Sequence, residues 1–386
     1  MEKSMFKPAF NVLLALIVGS SVLSAQTVTN PDISVIPRFH LFSHDEGNGS
    51  FETPDMSIEE LEIAIQAYLN PYARADIYLA KHGDHPLEIE EAYASFLRGL
   101  PLDLNARIGK FRTEFGKFNM MHPHQWPFIT APLSAQRFLG EEGANDLGIG
   151  LSTLLPTGTL YSRLSVEVLR GGFTQTIDPR EEHAEEDHEE HAHEHEGVIG
   201  ILDTLGRKPA YAFAARLMSF FPLSDESDME IGVSALSGVH DPHNDHRFLY
   251  TNVDLKYKWK PDAYTSLTLQ GEFLMSSRTV TVHDEMDVPM EDDVASYGAF
   301  LFADYQFLKS YTIGARYDWA QSPYSTDDKA KGFAVFAGFY PVEETSAFRL
   351  EFAQKTHQHP DGDSQTVRSV TLQFLFSLGP HRAHSF

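Results

Sequence analysis

From Ile58 onward, apolar and polar positions alternate in segments of about ten residues, and polar connections separate them. Between 160 and 170, Leu160, Leu164, Val166 and Val168 share one face with Ser162, while Arg163, Ser165 and Glu167 take the other. Tyr311, Ile313, Ala315, Tyr317 and Trp319 alternate with Thr312, Gly314, Arg316 and Asp318. Near the end, Val370, Leu372, Phe374, Phe376 and Leu378 alternate with Thr371, Gln373 and Ser377, with Leu375 the exception. A period of two sends successive side chains to opposite faces, so each segment has one face suited to lipid and one to water. A soluble antiparallel sandwich alternates in the same way, but its strands are shorter and its apolar face is buried.

The pattern predicts strands near 33–42, 59–70, 72–81, 87–98, 103–114, 147–156, 159–170 and 209–222, then 227–237, 247–258, 263–275, 294–308, 310–319, 332–340, 344–355 and 365–378. An even number of long alternating strands predicts an all-β fold, a transmembrane antiparallel β-barrel of about 16 strands. With both termini periplasmic, the connections at 70–71, 98–103, 156–158, 222–227, 260–263, 308–309 and 341–344 become short turns. Those at 43–58, 115–146, 171–208, 238–246, 276–293, 320–331 and 356–364 become long extracellular loops, with 81–86 the short member of that set.

The first residues fit this destination. Lys3 and Lys7 precede an apolar run from Val12 to Val18, and small residues follow at Ser24 and Ala25, which reads as a cleaved signal peptide over 1–25. Residues 26–386 are then a single barrel domain. No other window is long and apolar enough for a membrane helix. Cysteine is absent, which excludes disulfides and thiolate metal sites. A formal charge of −25, from 30 basic and 55 acidic residues, argues against nucleic acid and anionic lipid surfaces and favours cations.

Candidate chemistry concentrates in histidine. The run EEHAEEDHEEHAHEHE, 181–196, cannot build a core but can bind divalent metal through His183, Asp187, His188, His191, His193 and His195. Its spacing defines no fixed geometry, so it predicts exchangeable capture, with zinc the first choice, copper the tighter ligand and no obligatory cofactor. Capture should weaken below about pH 6 to 6.5, where imidazole protonates. The bland alternative is a solvated acidic loop. Sixteen of the 19 histidines fall in predicted external loops.

The connection 115–146 is too long and apolar for a solvated loop: Phe118, Met120, Met121, Trp126, Phe128, Ile129 and Leu133 need something to pack against. It is expected to fold into the lumen and narrow a channel, the alternative being a cap over the barrel mouth. Pore-lining candidates are Arg107, Lys117, His122, His124, Arg163, Glu167, Arg316 and Asp318. Neither G-x-S-x-G nor H-E-x-x-H occurs, so no enzymatic activity is expected.

The run Glu91–Asn119, through Glu91, Tyr93, Arg107, Gly109, Lys110, Phe111, Phe115 and Gly116, resembles the phosphate-selective porin-like outer-membrane proteins, most strongly over 87–155. The tail Ser377–Phe386 also resembles short outer-membrane proteins described as zinc-regulated receptors. The resemblance implies a bacterial outer-membrane channel for small hydrophilic solutes or ions, partnered by membrane lipid and the barrel-assembly machinery, and a possible homotrimer. The chain departs from anion-selective members in its acidic balance. Two rivals remain: a TonB-dependent type of receptor for metal uptake, against which the length speaks, and a non-conducting surface metal-binding protein.

Overall fold

The computed structural model describes residues 31–158, 160–171, 210–241, 244–283, 289–342 and 345–380. The signal-peptide span 1–25 and the histidine-rich run, with His183, Asp187, His188, His191, His193 and His195, lie outside the described residues.

Among the described residues sixteen strands follow one another: β1 (Asp32–Asp45), β2 (Asp55–Asn70), β3 (Ala73–His82), β4 (Glu88–Phe96), β5 (Asn105–Arg112), β6 (Asn145–Leu155), β7 (Tyr161–Leu169) and β8 (Ala212–Ser224). Then come β9 (Ser227–Asp241), β10 (His246–Trp259), β11 (Ser266–His283), β12 (Pro289–Phe307), β13 (Tyr311–Gln321), β14 (Lys329–Val342), β15 (Ser346–Gln358) and β16 (Ser364–Phe376). Each pairs with its chain neighbour, and β1 pairs antiparallel with β16 through Arg38↔Leu375 to Asp45↔Arg368, so the sheet closes as a barrel with no free edge.

The two faces are sorted opposite to a soluble protein. Val166, Val168, Leu301, Ile313, Tyr317, Val335, Leu350 and Leu372 are exposed on the outer wall, while Glu62, Asp76, Glu167, Arg216, Asp254, Gln270, Arg316, Glu351 and Gln373 are buried inside. A wall that shows hydrocarbon outward and ionisable groups inward suits a bilayer, and closure leaves every ladder group paired without water. Toward the end where β12 turns into β13, rings stack from strand to strand: Phe307 on Tyr311, Tyr311 on Phe339, Phe339 on Phe348, and Phe348 on Phe374 at 4.6 Å. That is an aromatic belt of the interfacial kind.

Five of the expected long loops are shorter than the alternation implies, two of them simply because flanking strands run on: 320–331 narrows to 322–328 and 356–364 to 359–363. The β11–β12 ladder runs unbroken from Ser266↔Gln306 to His283↔Pro289, so most of 276–293 is strand, and β9 and β10 approach as far as Asp241 and His246. The connection expected at 43–58 narrows to 46–54, because β1 and β2 extend to Asp45 and from Asp55. The added positions, such as Ser276, Ser277, Thr279 and Thr281, have loop-like polarity, but β-branched and hydroxyl side chains also suit a strand, and Ser276, Arg278 and Val280 are buried on its inner face. Consequently His44, His82, His240, His246, His283 and His357, counted among loop histidines, belong to strand ends.

Candidate functional site

The connection between β5 and β6, residues 113–144, turns back into the barrel and bonds to inward side chains all round the wall. It starts with a reversal at Phe115 and Gly116. Gly116 has φ of +65°, and a Cβ there would collide with the Glu272 carboxylate of β11. With only hydrogen at that position, Gly116 N–H donates to Ser234 Oγ of β9 at 2.9 Å and Lys117 N–H to Glu272 Oε1 at 2.9 Å. Lys117 Nζ continues to Glu230 Oε2 of β9 at 2.6 Å.

Two 3₁₀ turns follow, Phe118–Met120 and Pro123–Gln125. They present Phe118, Trp126 and Phe128 to Phe300 and Phe302 of β12 and Phe336 of β14, an apolar cluster inside an otherwise polar lumen. Phe118 stacks on Trp126 with centroids 4.7 Å apart, and Phe128 meets Phe302 edge-on at 5.2 Å. On β15, Glu351 accepts from Ile129 N–H at 2.8 Å, Thr130 N–H at 3.1 Å and Thr130 Oγ1 at 2.7 Å. The Arg316 guanidinium of β13 lies 4.3 Å from the Phe128 ring centroid, donates to the Thr130 carbonyl, and bonds Asp318 Oδ2 at 2.9 Å.

The segment leaves through a short helix, α1 (Leu133–Leu139), whose Leu133 and Phe138 are buried. Gly298 of β12 lies under this helix, with no room for a Cβ between Phe138 and Ser134. Asn119 then ties the two ends together, donating to the Thr113 carbonyl at 2.8 Å and the Ala144 carbonyl at 3.0 Å and accepting from Ala144 N–H at 2.8 Å.

On the opposite wall the HPH turn meets carboxylates of β2 and β4. His122 Nε2 is 2.9 Å from Glu91 Oε1, and its Nδ1 is 3.3 Å from Glu62 Oε2 and 3.5 Å from Glu90 Oε2. His124 Nδ1 is 3.1 Å from Glu62 Oε2. Burial alone would lower the His122 pKa, but the charges of Glu62 and Glu90 hold its imidazole well above the usual range.

The remaining candidates form a separate group. Arg107 Nη2 pairs with Glu167 Oε1 at 2.8 Å, and Arg163 forks onto Glu114 at 2.6 and 2.8 Å. For Glu114, burial would raise the pKa, yet hydrogen bonding and charge from Arg163 and the charge of Arg107 hold it below the ordinary glutamate value. These four residues, with Arg74 and Tyr93, line a cavity of about 250 Å³. A second cavity of about 320 Å³ lies beneath Met121, His124 and Trp126 and extends past Gln270, Asp304 and Arg349 to Lys309. The structure thus ties Lys117 to β9 and His122 and His124 to β2 and β4, sets Arg316 with Asp318 against Thr130 of the segment, and puts Arg107, Arg163 and Glu167 around the first cavity.

Sequence reading missed the wall residues that receive the segment. Phe300 and Phe302 share parity with Asp304 and Gln306, and that shared polar face was the available signal that they point inward. For Glu62 no local signal existed, since it is an ordinary inward carboxylate, and Glu90 and Glu91 are neighbours that both turn inward only because a β-bulge opposite Tyr78 and Leu79 leaves Glu90 without a ladder partner.

No family model matches the chain. An uncharacterised protein of Aquifex aeolicus is 25% identical over 395 residues, covering 92% of this chain and 80% of that protein. Among solved structures, the outer-membrane channel DcaP of Acinetobacter baumannii superposes with a TM-score of 0.58 at 11% identity, over 90% of this chain and 97% of that one. The anion-selective porin from Comamonas acidovorans gives 0.55 at 10% identity, over 90% and 99%. OmpF of Salmonella typhi, solved in complex with daunomycin, gives 0.52 at 9% identity, over 89% and 97%. The chain has the fold of an outer-membrane porin. Its place is the bacterial outer membrane, in accord with the apolar outer wall and aromatic belt. At these identities the likeness is one of fold, and the porin barrel here carries its own lumen chemistry.

Proposed function

We propose that the protein is a passive outer-membrane channel for small hydrophilic solutes or ions, with segment 113–144 as its constriction. The observation that carries this reading is the segment's course through a charged, buried lumen, anchored by Glu272, Glu351, Arg316 and Lys117 and leaving two cavities beside it. In this reading the short turns face the periplasm and the end carrying 46–54 and 172–209 faces outward. Residues 181–196 then act as a collector of divalent metal, zinc first. Lipid and the assembly machinery are the partners, and a homotrimer is the working assembly. Closure at sixteen strands speaks against an energised receptor, which uses a 22-stranded barrel and a plug.

A second reading is supported by the segment's bonds to strands around the wall, β2, β9, β13 and β15: a non-conducting, metal-binding surface protein. Planar-bilayer recording separates the two. Purified, folded protein giving discrete conductance steps supports the channel, and silence across voltages and salts abandons it. The collector is tested separately by zinc titration of the full chain and of a variant lacking 181–196, which should bind fewer ions.

A further inference from the structure

We infer that Glu62, Glu90 and His122 form a divalent transition-metal site inside the barrel, clamping the HPH turn of the lumen segment to β2 and β4. The nitrogen and two oxygens that converge are His122 Nδ1, Glu62 Oε2 and Glu90 Oε2, with one ligand atom from each residue lying within 4.8 Å of the others. All three residues are more than nine-tenths buried. His122 Nδ1 and Glu90 Oε2 have no hydrogen-bond partner, and both aim into this point.

Three features favour a metal over a simple ion-pair cluster. The first is spacing: 3.3 and 3.5 Å from nitrogen to carboxylate oxygen is long for a charge-assisted hydrogen bond, which runs about 2.7–2.9 Å. It matches the edge of a tetrahedron around an ion with bonds of about 2.0–2.1 Å, roughly 3.3–3.4 Å.

The second is orientation. His122 Nε2 sits 2.9 Å from Glu91 Oε1, so when a metal displaces the Nδ1 proton the ring still donates from Nε2 to Glu91 and turns the freed Nδ1 lone pair to the other two carboxylates. Glu91 is itself held by Arg112 N–H at 3.0 Å. A carboxylate behind a histidine ligand is the usual way such a ring is aimed and made more basic.

The third is the arrangement of the carboxylates. Arg112 takes Oε1 of Glu90 and leaves Oε2 for the site, while on Glu62 the site oxygen, Oε2, is also the one that His124 Nδ1 approaches at 3.1 Å. Two buried carboxylate oxygens facing one point repel, and a divalent ion there would offset both charges where the imidazolium of His122 offsets one. A fourth position is left for water or a solute ligand, and one nitrogen with two oxygens suits zinc, cobalt or manganese.

The site is separate from 181–196 and stands whether or not the lumen conducts. The test uses the full-length chain folded in detergent, with His183→Asn, His188→Asn, His191→Asn, His193→Asn and His195→Asn to silence the other cluster. Cobalt(II) titration at pH 7.5 should give visible absorption saturating near one ion per chain, and X-ray absorption should show one imidazole in an otherwise oxygen shell. Glu90→Gln and His122→Asn should each weaken binding by at least about tenfold, and Glu91→Gln by roughly 10–100-fold as a positioning change. Heat-modifiable gel migration confirms that each barrel is closed. The inference is overturned if the silenced chain binds no cobalt, if the bound ion has no imidazole neighbour, or if closed-barrel variants bind as tightly as their parent.

Discussion

Lys117 Nζ lies 2.6 Å from Glu230 Oε2, joining the lumen segment to β9 through a pair in which both side chains are more than nine-tenths buried. Glu230 keeps a second cation at hand, Arg216 Nη2 at 3.6 Å, so removing the lysine does not strand the carboxylate wholly. Lys117→Met should therefore cost about 3 kcal/mol, the low end for breaking a buried pair, and loosen the start of the segment. Unfolding in urea reads the first effect. A rise in conductance or open-channel noise reads the second, and unchanged stability with unchanged current would show that this pair does not hold the segment.

The aromatic anchor should matter more than any single polar contact. Phe128 is 1% exposed and touches rings from the segment and from two wall strands. Phe128→Ala removes that contact and should cost roughly 3–5 kcal/mol of segment docking. The readout is Trp126, buried in the same cluster: its fluorescence should shift red and become quenchable by iodide while the barrel still migrates as a folded species.

At the reversal, Gly116→Ala puts a methyl into the Glu272 carboxylate at a backbone angle that L-residues rarely adopt. The expected penalty is about 1–3 kcal/mol, seen as a lower unfolding midpoint. Alanine at Gly49, which also has positive φ but meets nothing within 4 Å, should cost less and so separates strain from collision.

Acid should release the segment at its other anchor. Glu114 faces Arg163 and Arg107, with Glu167 and Ser165 on the same wall, and its pKa is held below the ordinary value. A depressed carboxylate contributes stability that is fully present above the unfolded glutamate value, about 4.3, and is lost as pH falls through the lower folded value. Thermal unfolding of the wild type against Glu114→Gln should show a gap at pH 6 that closes in strong acid. A gap that persists there would mean that the ion pairs with Arg163 and Arg107 contribute nothing to it.

Much of this architecture was legible from alternation alone. The β13 sequence reads out its lipid and lumen faces residue by residue, with Tyr311, Ile313 and Tyr317 exposed and Thr312, Arg316 and Asp318 buried, because one wall faces hydrocarbon and the other water. The apolar content of 115–146 likewise required a packing partner. What alternation cannot give is pairing across the lumen: Phe128 finds Phe336, and His122 finds Glu62, Glu90 and Glu91, only because barrel closure brings distant strands around one segment. The β11–β12 extension was hidden for a different reason. Its serines and threonines are as common in loops as in strands, and a single buried apolar residue among them, Val280, is a weak signal of an inner face.

The outer wall provides a test of the membrane assignment itself. Leu301 of β12 is 60% exposed, and its ladder partners are Gly271 on β11 and Tyr317 on β13, well inside the paired region. In water, arginine at so exposed a position would change stability by less than about 0.5 kcal/mol. In a bilayer, the same Leu301→Arg change places a guanidinium against hydrocarbon and should cost about 2–4 kcal/mol near the midplane, falling to about 0–1 near the interface. Reversible unfolding from lipid vesicles measures the difference, and Tyr311→Arg, in the aromatic belt, supplies the interfacial comparison. A large cost at Leu301 with a small one at Tyr311 identifies the exposed apolar band as the lipid-facing wall. Equal and negligible costs at both would remove the membrane reading.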